Sequence, residues 1–355
     1  MKYKKWAISV IALILSALLA VSSFVFVVDP LTHYHAPWFG FYPLVENERY
    51  HNPGIAKNIK YDSVLVGSSM VQNSRASDFD KAMNCTIVKL SFAAGSLCEY
   101  NEIINLSYKN HKLKNVFWGI DVYSLMENAE NDENTLSSLP QYLYDENPFN
   151  DVSYLLNYDI LKLSVRTALK MSTGGEEYLD NAYYFADKYK FGKKYTLEGY
   201  SEPEKESDKP ASLYEESCKE IINKNIVPLI GSHPETTFWF FFPPYSVLTW
   251  NNYKCEGILL AALNTKKVAY EILSDFDNVK IFDFQQLTDI TGNLELYKDF
   301  SHYNPDINSA MVSWMAEGKC EIVNEEQIIN SNSIIYQQAM KFNLEDEKNE
   351  NRGQN

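Results

Sequence analysis

Residues Trp6 to Val28 form an uninterrupted apolar run, about 23 residues at 1.5 Å each, which is enough to cross a hydrocarbon core of roughly 30 Å. The run reads as a transmembrane helix. Lys2, Lys4 and Lys5 precede it, and basic residues on that side place the N-terminus in the cytoplasm and everything after Asp29 outside. A cleavable signal peptide is the rival reading. Its apolar core is normally shorter, and no small-x-small site precedes Ser22, so a retained anchor over 1–28 is favoured.

From Tyr61 onward, short apolar runs alternate with helical stretches, the signature of an α/β fold with a parallel sheet covered on both faces. Strands are predicted at 62–66, 86–91, 116–121, 237–242 and 279–283, with helices near 75–83, 97–110, 212–224, 257–275 and 305–317. The run Phe238-Trp239-Phe240-Phe241-Phe242, ended by Pro243-Pro244, reads as a strand buried on both sides. Between Ser124 and Lys209 no strand pattern appears, so a helical insertion over about 124–209 is expected beside the cleft mouth, with Asp159 to Met171 as one of its helices. The stretch 29–60 is an aromatic strap suited to a membrane–water interface or a domain surface, and His33 and His35 read as interfacial residues in preference to a metal pair. The main domain is assigned to 61–323. Residues 324–355 are polar and are expected to be a disordered tail.

Two short segments carry the candidate chemistry. Asp62-Ser63-Val64-Leu65-Val66-Gly67-Ser68-Ser69 reads as a buried strand running into a glycine that permits a sharp turn, which puts Ser69 where a helix begins. Asp299-Phe300-Ser301-His302 sets a carboxylate and an imidazole three residues apart, just ahead of a helix start at Asn304-Pro305. Together they supply a nucleophile, a base that exchanges protons near neutrality, and an acid to orient it. The plainer reading is that Ser69 caps a helix and His302 bonds a nearby carbonyl. The strand–turn context and the distant Asp-x-x-His favour the catalytic one. In a doubly wound sheet, ligands bind beyond the C-terminal strand ends, where Ser69, Gly95, Asp121 and Pro243 all fall.

These motifs resemble the SGNH hydrolase superfamily, also called GDSL-like, whose serine follows the first strand and whose Asp-x-x-His lies near the C-terminus. Gly67-Ser68-Ser69 stands where that family usually has Gly-Asp-Ser, as in its membrane-anchored bacterial branch, similar to the lipoteichoic-acid D-alanylation protein and alginate O-acetylation factors. The resemblance implies a three-layer, flavodoxin-like domain with a five-stranded parallel sheet. It implies Ser69 as nucleophile, His302 as base and Asp299 as its partner, with an oxyanion hole from the Ser69 N–H, Gly95 and the position of Asp121, where the family has Asn. Gly95 reads equally as an ordinary turn glycine. An ionised Asp121 would repel an oxyanion, so it is protonated, points elsewhere or does another job. Asn73, one helical turn after Ser69, is a candidate replacement donor or a surface residue.

The implied activity is that of an extracytoplasmic serine esterase or O-acyltransferase acting on acyl esters of cell-envelope or secreted glycans through an acyl-Ser69 intermediate. The alternative is a non-catalytic module that binds envelope polymer or assists a membrane acyltransferase. No metal or organic cofactor is implied. A net charge of −15 argues against nucleic acid as a partner, because phosphate binding needs clustered Lys and Arg. Five scattered cysteines leave at least one thiol free, and most read as small buried hydrophobes.

Overall fold

Five parallel strands, β1 (Ser63–Val66), β2 (Ile87–Lys89), β3 (Asn115–Gly119), β4 (Thr237–Phe242) and β5 (Val279–Asp283), form one sheet in the order β2-β1-β3-β4-β5. The structure is a computed structural model that describes residues 2–170 and 176–353. The chain divides into two compact units, Tyr61–Ser138 with Tyr183–Asn355, and Met1–Lys60 with Leu139–Ala182. The sheet belongs to the first of these. Both its faces are buried, as the apolar runs require: Phe238, Phe240 and Trp118 share one face, while Trp239 stacks on Phe117 and Phe282 on the other. In this strand order the connection leaving β1 runs to β2 on one side, and the connection leaving β3 runs to β4 on the other. A crevice therefore opens at the C-terminal ends of β1 and β3.

The helices fall close to their predicted ranges, at Ala76–Met83, Leu97–Asn110, Glu215–Asn225, Leu259–Leu273 and Pro305–Ala316. Local chemistry explains their starts. Ser96 and Glu99 make a reciprocal capping box, and Asn304 caps the helix that Pro305 opens. The chain after Val323 differs from the expected disordered tail: Glu325–Lys341 is a helix, followed by a second at Leu344–Gly353. Ile328, Ser331, Ile335 and Ala339 form a buried helical stripe that the polar composition around them masks. The last two residues lie outside the described residues. All five cysteines are free thiols, four of them buried.

The other unit begins with an apolar helix, α1 (Lys2–Val28), long and apolar enough to cross a membrane and largely exposed along its length. It ends at Asp29, whose carboxylate accepts the backbone N–H groups of His33, Tyr34 and His35 at 2.8–3.0 Å and the Tyr154 hydroxyl at 2.6 Å. His33 and Tyr34 then reach Asp151, whereas His35 bonds the Phe26 carbonyl and stacks on Trp38, so the two histidines serve different partners. The strap also contains an unpredicted helix, α2 (Glu48–Asn58), with Pro53 inside it. Gly54 lets α2 approach the Leu31 carbonyl too closely for any Cβ, and the Asn58 amide caps the Thr32 and His33 carbonyls. The insertion is helical, including Tyr158–Leu169; Met171, its predicted end, lies outside the described residues.

The edge of the sheet is secured by a buried ion pair. Lys266 Nζ lies 2.7 Å from Asp283 Oδ2 with both side chains fully buried, and Ser331 from the C-terminal helix donates to the same oxygen at 2.6 Å. Removing one partner strands the other charge in a dry interior. Lys266→Ala is expected to destabilise the protein by about 3–5 kcal/mol in urea unfolding, whereas Lys266→Met combined with Asp283→Leu recovers most of the loss.

Candidate active site

Gly67 ends β1 with φ +148°, where a Cβ would press on Val71 and the Gly119 carbonyl. The tight exit throws Ser69 into the first position of a 3-10 turn, Ser69–Val71, capped by the Ser68 hydroxyl accepting the Met70 N–H. Lys89, buried in β2, donates to the Gln72 and Ser74 carbonyls at 2.6 and 2.7 Å and fixes the far end of this turn. The Met70 carbonyl accepts two donors from the segment after His302, the Tyr303 hydroxyl at 2.8 Å and the Asn308 amide at 3.0 Å. The two distant motifs are thereby pinned together.

Ser69 Oγ lies 2.8 Å from His302 Nε2, and His302 Nδ1 lies 2.9 Å from Asp299 Oδ2. Because Asp299 can only accept at Nδ1 when ionised, the imidazole proton sits there and Nε2 presents a lone pair to the serine. Burial would raise the Asp299 pKa, but the His302 ring and backbone donors and the Lys298 ammonium outweigh it and hold the carboxyl well below the usual carboxylate range. Lys298 is itself set over the Tyr189 and Phe185 rings, and Phe185 meets the His302 ring edge-on. Sequence reasoning missed Phe185, Tyr189 and Lys298; only the adjacency of Lys298 to Asp299 hinted at them.

Ser69 and His302 open onto a pocket of 220 Å³ that Asp121, Tyr123, Tyr245 and Tyr253 also line. Asp121, at the end of β3, is 3% exposed and accepts the Tyr245 hydroxyl at 2.5 Å. Burial raises its pKa, against the lowering effect of the Ser68 and Tyr245 hydroxyls and of His302. A protonated Asp121 would offer one O–H donor beside the oxygen that accepts from Tyr245, where an amide would offer two N–H donors. The Tyr245 phenol, pushed far up by burial and by Asp121, stays a donor.

The other two oxyanion candidates go elsewhere. Gly95 donates its N–H to the Phe92 carbonyl at 3.0 Å and packs where a Cβ would strike the Tyr100 hydroxyl, which makes it a turn glycine; its neighbour Ala94 lines the pocket instead. Asn73 is buried, and its side-chain oxygen accepts the N–H groups of Phe185 and Ala186 at 3.1 Å, anchoring the segment that holds Phe185 against His302. Neither residue lines the pocket: the Gly95 N–H is spent on a carbonyl, and the Asn73 oxygen on two backbone N–H groups. Among the described residues nothing accepts from the Ser69 N–H, the first amide of its turn, which leaves it available to a ligand oxygen. No group of side chains suited to a metal ion occurs among the described residues. The chain matches no protein-family model and no curated protein.

The raised pKa of Asp121 has a stability consequence whose sign is fixed by linkage. Its folded pKa lies above its unfolded one, so its contribution is complete below the unfolded value, about pH 4, and is lost as pH rises through the folded value. Asp121→Asn keeps the acceptor for Tyr245 and removes the ionisation. Melting curves are expected to coincide for variant and wild type near pH 4 and to place the variant higher at about pH 8.

Proposed function

We propose that this protein is an extracytoplasmic, membrane-anchored serine acyl-transfer enzyme of SGNH type, an esterase or O-acyltransferase that acts on acyl esters of cell-envelope or secreted glycans. The observation that carries the reading is the aligned relay of Ser69, His302 and Asp299 at 2.8 and 2.9 Å, opening onto a pocket at the sheet's crevice. His302 Nε2 takes the Ser69 proton as Oγ attacks the acyl carbonyl, and the same proton goes to the leaving alkoxide as the acyl-Ser69 ester forms. Water or a sugar hydroxyl then attacks that ester, with His302 as base again, and Ser69 recovers its proton. Asp299, kept ionised, stabilises the imidazolium formed in each half-reaction.

The pocket volume of 220 Å³ falls below the roughly 300–1,000 Å³ usual for whole drug-sized ligands. It suits the acyl group and the reacting ester, with the rest of a polymeric substrate lying outside. The Ser69 N–H, together with Asp121 when it carries a proton, supplies the oxyanion donors in this reading. The outward orientation of the domain rests on Lys2, Lys4 and Lys5 before α1.

A second reading, a non-catalytic module for envelope polymer or for a membrane acyltransferase, draws on the commitments of Gly95 and Asn73 and on the carboxylate at position 121. A fluorophosphonate probe separates the two. The enzyme reading expects covalent labelling of the wild type, none in Ser69→Ala, and a loss of about a thousandfold in labelling rate in His302→Ala. Well-folded wild type that stays unlabelled would transfer the assignment to the binding module.

A further inference from the structure

The Ser69 pocket does not end at Tyr123. That tyrosine also lines a second, more open cavity of 410 Å³, within the range of roughly 300–1,000 Å³ that accommodates small-molecule ligands. Every residue lining either cavity belongs to the unit that contains the sheet. The Tyr253 phenol of the first cavity is pushed up by burial and then by Asp121, Glu256 and Tyr214, the last of which lines the second. The Tyr123 phenol is raised by burial and then by Asp121, Tyr253 and Glu127. Tyr123, Tyr253 and Tyr214 thus connect the two cavities, and the outer one is an extension of the serine pocket.

The outer lining has the chemistry of a saccharide site. Tyr123 and Tyr214 offer ring faces with polar tips. The Asn128 side-chain oxygen caps the next helix by accepting the Asn131 N–H at 2.7 Å, which leaves the Asn128 NH2 group and the Asn131 amide uncommitted among the described residues. Ser217 Oγ donates to the Tyr214 carbonyl at 3.0 Å and keeps its lone pairs. Such donors and acceptors match hydroxyl groups. The charge balance narrows the class further, because Glu127 is the one charged side chain of this lining and neither cavity is lined by a lysine or arginine among the described residues. Lys219 and Lys224, on the helix that follows Tyr214, are held at 2.7 Å by Glu215 and Glu133. A polymer bearing phosphates or carboxylates would lay its anions against Glu127 with no cation to receive them.

We propose that this groove binds an uncharged glycan chain, the saccharide part of an ester whose acyl group enters the Ser69 pocket. The assignment rests on the acyl-transfer reading and narrows its substrate from glycans in general to neutral ones.

The test uses the full chain in detergent micelles, with partly O-acetylated xylotetraose as the uncharged probe and partly O-acetylated tetramannuronate as the anionic one. Saturation-transfer NMR on Ser69→Ala reads affinity without turnover, and acetate release by the wild type reads KM. The uncharged probe is expected to bind at least tenfold more tightly than the anionic one. Tyr214→Ala is expected to raise KM for the uncharged probe about tenfold. Glu127→Lys, at an exposed position, is expected to move the ratio of the two affinities about tenfold toward the anionic probe, and a ratio is insensitive to any unfolded fraction. Binding of the uncharged probe without acetate release would support the groove and count against the acyl-transfer reading alone. Failure of both tetrasaccharides to bind would overturn the groove, and turnover of 4-nitrophenyl acetate in that case would leave the acyl-transfer reading standing. Equal or tighter binding of the anionic probe, or a ratio unmoved in Glu127→Lys, would also overturn it.

Discussion

The carbonyl of Met70 is where the two ends of the active-site unit are fastened. It accepts the Tyr303 hydroxyl and the Asn308 amide, so the turn that carries Ser69 and the segment that carries His302 share one hydrogen-bonded anchor. The sheet supplies the other half of the constraint, because its strand order opens a crevice beyond β1 and β3 and delivers both Ser69 and Asp121 to it. A serine–imidazole distance of 2.8 Å is then a product of the whole α/β scaffold, held from both sides of a sequence gap of 233 residues.

Two carboxyl groups beside this pocket are driven in opposite directions. Asp299 gathers N–H donors and an ammonium and is kept anionic. Asp121, buried among phenols, is favoured in its neutral form. Environment alone drives the two pKa values apart, a pattern that acid–base sites commonly use. Lys298 strengthens the first of these and is in turn steadied by Phe185 and Tyr189, so the Asn73 amide that tethers Phe185 acts on the imidazole at one remove.

The strands are readable because each is a short apolar run bounded by turn-forming residues, and periodicity reports that directly. The serine and Asp-x-x-His segments are readable as motifs, since their spacing within each segment is local. Commitments made through folding are hidden from the chain order. Nothing near Gly95 announces that its N–H is spent on Phe92, and nothing near Asn73 announces the backbone of Phe185 and Ala186. The helix Glu325–Lys341 is obscured because a few buried positions suffice to dock it among many polar ones. In α2, Pro53 and Gly54 look like breakers, yet the glycine is required by the close approach of the Leu31 carbonyl.

The four donors gathered by Asp29 give the junction below α1 the character of a welded elbow. A leash of free residues would let a bilayer rearrange with no effect on the chain beyond it. Here, were α1 to span a membrane, leaning to match a thinner one would carry the segment from Asp29 to His35 and Tyr154 with it. Bilayer thickness would then become a mechanical input to the residues that Asp29 gathers.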